Sequence, residues 1–178
     1  MANASHHSSF HVYRVGGLLG DDRVIKADDR TTILYYLKCS RTSTQWQFML
    51  HAGSLTGILV CHVISAYLAH STLSEAPGPI ALNMVTEHRQ VQFKQASRGR
   101  RSFKGPDDKL YYWKSSSGLL RNEMQCEDSQ GVVVATYRVT MMALTKDEYR
   151  VIDERFTTIH IMGLWPLDTD YKVVRQYM

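Results

Sequence analysis

The residues best suited to chemistry in this sequence are six basic side chains between positions 89 and 104. Clustered ammonium and guanidinium groups attract phosphate, whether it belongs to a lipid headgroup or to a nucleic acid. The alternative is structural, because Lys and Arg also protect exposed strand edges from unwanted pairing. No Asp or Glu interrupts the run before position 107. The candidate residues for binding an anionic headgroup are Arg89, Lys94, Arg98, Arg100, Arg101 and Lys104.

The net charge of +4 over 178 residues is concentrated in this part of the chain. Residues 89 to 121 carry nine basic and two acidic side chains, whereas residues 1 to 88 carry six of each and residues 122 to 178 carry six and nine. This local excess is modest, and no recognised nucleic-acid motif accompanies it. We therefore expect an anionic lipid or membrane surface as the partner, and not nucleic acid. The sequence identifies no protein partner, and we expect a monomer.

Catalytic and metal-binding groups form no recognisable motif. Cys39, Cys61 and Cys126 are isolated from one another, which indicates neither a disulfide framework nor a zinc site. Adjacent side chains of a strand point to opposite faces, so Cys61 and His62 are not expected to act as a pair. His62 is expected to be a buried, hydrogen-bonded histidine. We expect no catalytic residue, no metal and no cofactor, and a binding protein in preference to an enzyme.

A second unusual feature is the stretch from Thr42 to Ser74, which contains no Asp, Glu, Lys or Arg in 33 residues. Its most apolar part, Leu55 to Ala69, is 15 residues long, whereas a membrane-spanning helix needs about 20. Alternation within Leu55 to Ile64 instead predicts a strand that is apolar on both faces. The outer face of that strand either packs on the loop around Pro77 and Pro79 or meets a partner or ligand.

Most of the chain is predicted to form short strands separated by turns. Turn chemistry at 105–108 (Gly-Pro-Asp-Asp) and 128–131 (Asp-Ser-Gln-Gly) separates runs whose centres lie about 10 residues apart, as in antiparallel sandwiches and barrels. Tyr111, Tyr112 and Trp113 could stack on bases, but core and cross-strand packing is the interpretation we favour. The predicted strands are 10–15, 23–26, 31–37, 45–50, 55–64, 81–86, 91–94, 101–104, 110–114, 119–125 and 132–140.

Several strings in these strands resemble the tubby C-terminal-like superfamily, in particular a fungal family of unknown function within it. They are Arg101-x-Phe103-x-Gly105-Pro106-Asp107-Asp108-x-x-Tyr111-Tyr112-Trp113-Lys114, then Leu120, Gly131 to Tyr137, Arg30 to Ile33, and Val151 to Glu154 followed by Phe156 to Met162. The resemblance spans about residues 10 to 165. The chain departs from the family pattern at Asp108, where members often have Gly, and at Arg155 within the expected helix.

The resemblance implies an antiparallel, closed or nearly closed β-barrel or meander around a hydrophobic C-terminal helix. Ile152, Phe156, Ile159 and Met162 recur at helical spacing, although the β-branched residues among them also suit a strand. We expect a flexible N-terminus over 1–9, one tubby-like barrel domain over 10–166 and a tail over 167–178.

Tubby-like proteins bind phosphoinositides, so the resemblance implies a non-enzymatic module for anionic phospholipid headgroups. The alternative is a small enzyme or carrier whose barrel encloses an apolar small molecule. The polar start of the chain, Met1 to Ser9, has no apolar signal region. We therefore expect an intracellular protein, either cytoplasmic or peripherally bound to a membrane.

Overall fold

The structure is a computed structural model that describes residues 8–16, 22–41, 45–66, 80–97, 100–115, 123–139 and 146–151. This part of the chain is mainly β, as expected from its alternating Val, Ile, Tyr, Phe and Thr residues. Its twelve strands are β1 Ser8–Arg14, β2 Arg23–Lys26, β3 Ile33–Arg41, β4 Gln45–Ala52, β5 Leu59–Ala66, β6 Ile80–Met84, β7 Arg89–Ser97, β8 Arg100–Lys104, β9 Leu110–Ser115, β10 Glu123–Asp128, β11 Val133–Val139 and β12 Lys146–Val151.

The strands form one antiparallel meander in which each strand pairs with the next along the chain. The first strand also pairs with the last, with Ser8 opposite Val151 and Tyr13 opposite Lys146, so the strand order is that of a closed barrel. The predicted mainly β, antiparallel class is confirmed. The predicted C-terminal helix lies outside the described residues. No helix in the described ranges is long and apolar enough to cross a membrane.

Most strands fall where the sequence predicts them, and three differences have physical reasons. Strand β1 begins at Ser8, two residues before the predicted domain start, because its first residues pair with β12. Strand β5 begins at Leu59 and not at position 55, because hydrogen bonds close a turn over 53–58. Strand β12 was not predicted, since its sequence Lys-Asp-Glu-Tyr-Arg-Val carries four charged residues in six positions.

The core consists of alternate side chains that point to one face of this sheet. Strand β6 is fully buried on one face only, the face that carries Ile80, Leu82 and Met84. Across three neighbouring strands, the Phe103 ring lies 4.8 Å from that of Phe93 and 5.6 Å from that of Tyr111. Trp113 is fully buried. Tyr111 and Trp113 are therefore core residues, as the packing interpretation predicts.

A meander places its connections alternately at two ends of the barrel. We call one of them the hairpin end. It carries five short turns, over 27–32, 53–58, 85–88, 105–109 and 129–132, each closed by backbone hydrogen bonds. In three of these turns an Asp side chain accepts backbone N–H groups: Asp29 from Thr31 and Thr32, Asp107 from Lys109, and Asp128 from Gln130 and Val132. Hydrogen bonds from Thr32 and Thr31 hold the pKa of Asp29 well below its usual range.

Asp108, where the resemblance leads us to expect Gly, lies in one of these turns. Asp108 adopts a φ of 63°, in the left-handed region that favours glycine. Asp is one of the few residues other than glycine that adopt this region, because its side chain is short and polar. Here that side chain is exposed and forms an ion pair with Lys104. The position therefore has the backbone geometry for which a glycine is the usual choice.

The uncharged stretch contributes the neighbouring strands β4 and β5. Cys61 and Val63 are fully buried, while His62 points to the opposite face, as the strand geometry predicts. His62 is half-buried and not fully buried, and its Nε2 lies 3.2 Å from Asn83 Nδ2. Ile64 shares this outer face and is half-exposed.

A basic outer surface on strands β7 to β9

The structure does not bring the six candidate basic residues together on one surface. Lys94, Arg100 and Lys104 are exposed and lie on the outer face of the sheet. Arg101 lies on the core face and is only 5% exposed. Arg89 is half-buried at the start of β7, and Arg98 lies outside the described residues.

The three exposed side chains are neighbours because of the pairing between β7 and β8. Lys94 is opposite Ser102, and the Ser102 hydroxyl donates to the Lys94 carbonyl oxygen at 3.4 Å. Arg100 and Lys104 occupy the positions two residues before and after Ser102, and side chains at such diagonal positions lie about 7–8 Å apart. Neither β7 nor β8 contains an acidic residue. We call Lys94, Arg100, Ser102 and Lys104, together with Tyr112 of β9, the basic outer surface.

Tyr112 holds the Arg100 side chain in place. Tyr112 is the cross-strand partner of Ser102, and the Arg100 guanidinium carbon lies 4.0 Å from the centre of its ring. A guanidinium over an aromatic ring can still donate N–H groups from its edge to two oxygens of a phosphate. This arrangement orders a long side chain before any ligand arrives.

Three nearby cations already have carboxylate partners. Lys104 Nζ lies 2.9 Å from Asp108 Oδ1, and both side chains are more than half exposed, so this ion pair is worth at most about 1 kcal/mol and opens readily. Lys114 pairs with the largely buried Glu127 of β10. Arg89 Nε donates to Glu87 Oε2 at 2.6 Å. Among the described residues Lys94 has no ion pair, so it and Arg100 are the cations most available to an anion.

The linear order of the basic residues groups Arg101 with the exposed ones, whereas the structure buries it. The two-residue period of a strand distinguishes Arg101 from its exposed neighbours Arg100 and Lys104. Arg101 and Phe103 share one face of β8, and Phe103 is a core residue. Tyr112 is not among the residues that basic composition identifies. Its place on the outer face follows from its position between Tyr111 and Trp113, which both point into the core.

No group of three or more His, Cys, Asp or Glu side chains that could hold a metal occurs within the described ranges. Two cysteines lie in the core. Burial, with a smaller contribution from the Glu87 charge, raises the pKa of the Cys61 thiol to about 12. Burial and then the Glu127 charge raise the pKa of Cys126 as well. A thiol without thiolate character is a poor nucleophile, so neither cysteine has the electrostatics of a catalytic one.

We expect Cys61 and Cys126 to react very slowly with a thiol reagent in the native protein at about pH 8. The rise in the pKa of Cys61 from 9.0 to about 12 lowers its thiolate fraction about a thousandfold, and burial also blocks access. Timed labelling followed by peptide mass spectrometry measures each site, with the unfolded chain as the reference. Labelling of Cys61 or Cys126 at the unfolded rate would contradict this prediction.

Comparisons with protein-family models, curated proteins and solved structures gave no match for this chain.

Proposed function

We propose that this protein is a non-enzymatic binding module for anionic phospholipid headgroups, and that the basic outer surface is its contact site. The observation that carries the proposal is the grouping of Lys94, Arg100 and Lys104 on one face of two adjacent strands that contain no acid. Arg100, held over the Tyr112 ring, supplies a fork of N–H donors. Lys94, opposite Ser102, and Lys104, two residues after Ser102, supply point charges.

We expect each contact with a lipid headgroup to be weak, and we expect binding of the protein to the membrane to fall as salt rises. A basic side chain near an anionic membrane surface contributes about 1 kcal/mol, so three of them contribute about 3 kcal/mol. Opening the exposed Lys104–Asp108 ion pair offsets only a small part of this free energy. Attraction of this size brings a protein to a membrane reversibly, and it falls as salt shortens the range of the electrostatic field.

Replacing Lys94, Arg100 and Lys104 together with Gln should remove most sedimentation with vesicles that contain phosphatidylserine at low salt. The reason is the loss of about 3 kcal/mol of electrostatic attraction, which corresponds to a fall of about a hundredfold in partitioning. Vesicle sedimentation, with the protein quantified in pellet and supernatant, measures the effect.

The matched control replaces Lys26, Arg30 and Lys38 with Gln. This variant has the same net charge as the first, but its substitutions lie on strands β2 and β3 and the turn between them. It should retain most of the binding. Equal losses in the two variants would show a response to total charge alone, and unchanged binding in the first variant would remove the proposal.

We further propose that the chain has the tubby-like arrangement, with residues Ile152 to Trp165 as a helix that fills the barrel. The number of strands and the burial of the core residues support it. The side chains of a barrel of about eight strands just fill its interior, and the interior widens as the number of strands rises. In this barrel of twelve strands, core side chains such as Leu37, Leu50 and Val63 are nevertheless fully buried.

Filling of the barrel favours the binding module over the alternative of an enzyme or carrier that encloses an apolar molecule. An enclosed ligand needs inward-facing side chains that border free space. No observation in the described residues favours that alternative. Native mass spectrometry of the protein from its own host, followed by extraction, should release no stoichiometric apolar ligand; a stoichiometric non-phospholipid compound would favour the carrier.

A further inference from the structure

The contact between Arg100 and Tyr112 gives the basic outer surface a group that its lysines do not supply. The Arg100 guanidinium carbon lies 4.0 Å from the centre of the Tyr112 ring, which is the distance of a cation–π contact. Tyr112 itself is placed by strand pairing, with Ser102 of β8 and Glu127 of β10 directly opposite it. A guanidinium that rests on a ring loses less conformational freedom on binding an anion than a freely rotating side chain does.

The acidic residue next to Tyr112 is already paired with another cation. Lys114, the cross-strand partner of Arg100, forms an ion pair with Glu127, whose side chain is largely buried. The Glu127 charge is therefore balanced without Arg100. In the part of the chain that the structure describes, Arg100 has no carboxylate partner, so its N–H groups are available to an anion from outside the protein.

The donors of this surface exceed what a singly charged oxygen group can use. An arginine carries five N–H donors and a lysine three, and the hydroxyl of Ser102 is a further donor beside Arg100, Lys94 and Lys104. A carboxylate, or the phosphodiester within a lipid, offers one negative charge and two free oxygens. A terminal phosphomonoester offers three oxygens and a charge of about −1.5 to −2 at pH 7. It is therefore the headgroup chemistry that three neighbouring cations match best.

Arg100 also contributes a geometric preference. Its planar fork binds two oxygens of one group at once, whereas a lysine acts as a point charge. A phosphomonoester at the end of a headgroup presents its oxygens to the protein, while the oxygens of a phosphodiester lie between the glycerol and the rest of the headgroup. Phosphatidylserine also carries an ammonium group, which Lys94 and Lys104 repel. The arrangement therefore favours a terminal phosphate over a serine headgroup at equal membrane charge.

We propose that Tyr112 positions Arg100, and that this pair makes the basic outer surface selective for lipid headgroups that end in a phosphomonoester. The inference rests on the proposed function, because it concerns the same surface and takes a membrane lipid as the partner. It goes further in naming the headgroup chemistry and the two residues that select it. Tyr112 is a positioning residue, since it acts through the Arg100 guanidinium.

The test compares phosphatidylcholine vesicles that contain either phosphatidic acid or phosphatidylserine, with the mole fractions adjusted to equal zeta potential. The unaltered chain should partition about tenfold more strongly into the phosphatidic acid vesicles, which is the effect of one charge-assisted bidentate contact. Arg100→Lys keeps the net charge but loses the fork, so it should reduce this ratio to about twofold or less. Its partitioning into phosphatidylserine vesicles should stay unchanged. Vesicle sedimentation measures both values.

Variants at Tyr112 test its positioning role. Tyr112→Leu removes the ring and should lower the ratio about threefold, which is the effect of an exposed cation–π contact, whereas Tyr112→Phe keeps the ring and should retain the ratio. The matched control is Tyr13→Leu. It removes the ring that lies 5.0 Å from Lys26 Nζ, on strands β1 and β2, and should leave the ratio unchanged.

Glycerol 3-phosphate distinguishes a lipid headgroup from a soluble ligand with the same chemistry. At about the concentration of the accessible phosphatidic acid, it should not displace the protein from the vesicles, because a single soluble phosphate lacks the electrostatic field of the membrane surface. Displacement at this concentration would assign the surface to a soluble phosphomonoester and overturn the choice of a lipid.

Equal partitioning of the unaltered chain into the two kinds of vesicle would overturn the inference and leave the proposed function standing. A ratio that survives Arg100→Lys would show that charge alone selects the headgroup, and a ratio that survives Tyr112→Leu, or falls equally with Tyr112→Phe, would remove the role of the ring. Binding to neither vesicle would instead remove the proposed function itself, so the two failures are distinguishable.

Discussion

Phe103→Ala is expected to lower the free energy of unfolding by about 3–5 kcal/mol, which is a large part of the stability of a single domain. Phe103 is 1% exposed and lies between the rings of Phe93 and Tyr111. Its removal leaves a cavity bordered by two neighbouring strands and eliminates both ring contacts, each worth about 0.5–1.5 kcal/mol beyond the area buried. Urea denaturation followed by circular dichroism measures the loss.

The control for this prediction is Leu110→Ala on the adjacent strand. Leu110 is exposed, so its truncation should cost about 1 kcal/mol or less. A Phe103→Ala variant no less stable than Leu110→Ala would mean that the β7–β9 wall does not enclose the core at this position.

Phe156→Ala is expected to have a similarly large effect, about 3–5 kcal/mol, because we propose that residues 152–165 fill the barrel. The matched control is Thr158→Ala, which should change stability little. Positions two apart are about 200° apart around a helix, whereas in a strand they share one face. Thermal and urea unfolding of the two variants therefore distinguishes a helix in the barrel from a further strand.

Unchanged melting of Phe156→Ala would instead assign this segment to the surface and leave the filling of the barrel to another part of the chain. Equal destabilisation by the two substitutions would favour a strand. Either result would count against the tubby-like arrangement, while the twelve-strand meander would stand.

The fold class could be predicted from the sequence because apolar and polar residues alternate within many of the strands. Leu82, for example, is buried between two less buried neighbours, and the Gly-Pro-Asp-Asp turn carries its own local chemistry. Strand β12 could not be predicted in this way. It pairs on both sides with strands β1 and β11, and this pairing compensates for a charged sequence with little apolar alternation.

The candidate surface was predictable only in part. Basic composition indicated strands β7 and β8, but the face on which each side chain lies depends on register, and this removed Arg101 from the surface. The exposure of Ile58 could not be predicted, because the sequence places Ile58 within an apolar strand and only the closed 53–58 turn removes it from that strand. That turn requires Gly57, since a Cβ there would lie 1.8 Å from the Ala52 carbonyl oxygen.

The pairing of the first strand with the last has a consequence for biosynthesis. Residue 8 pairs with residue 151, so the sheet cannot close until residue 151 has left the ribosome. Until then, the nascent protein exposes two unpaired strand edges, at β1 and at the growing end, and such edges are templates for aggregation. Because contacts between distant residues also slow folding, this chain is an expected client of chaperones that shield strand edges during translation.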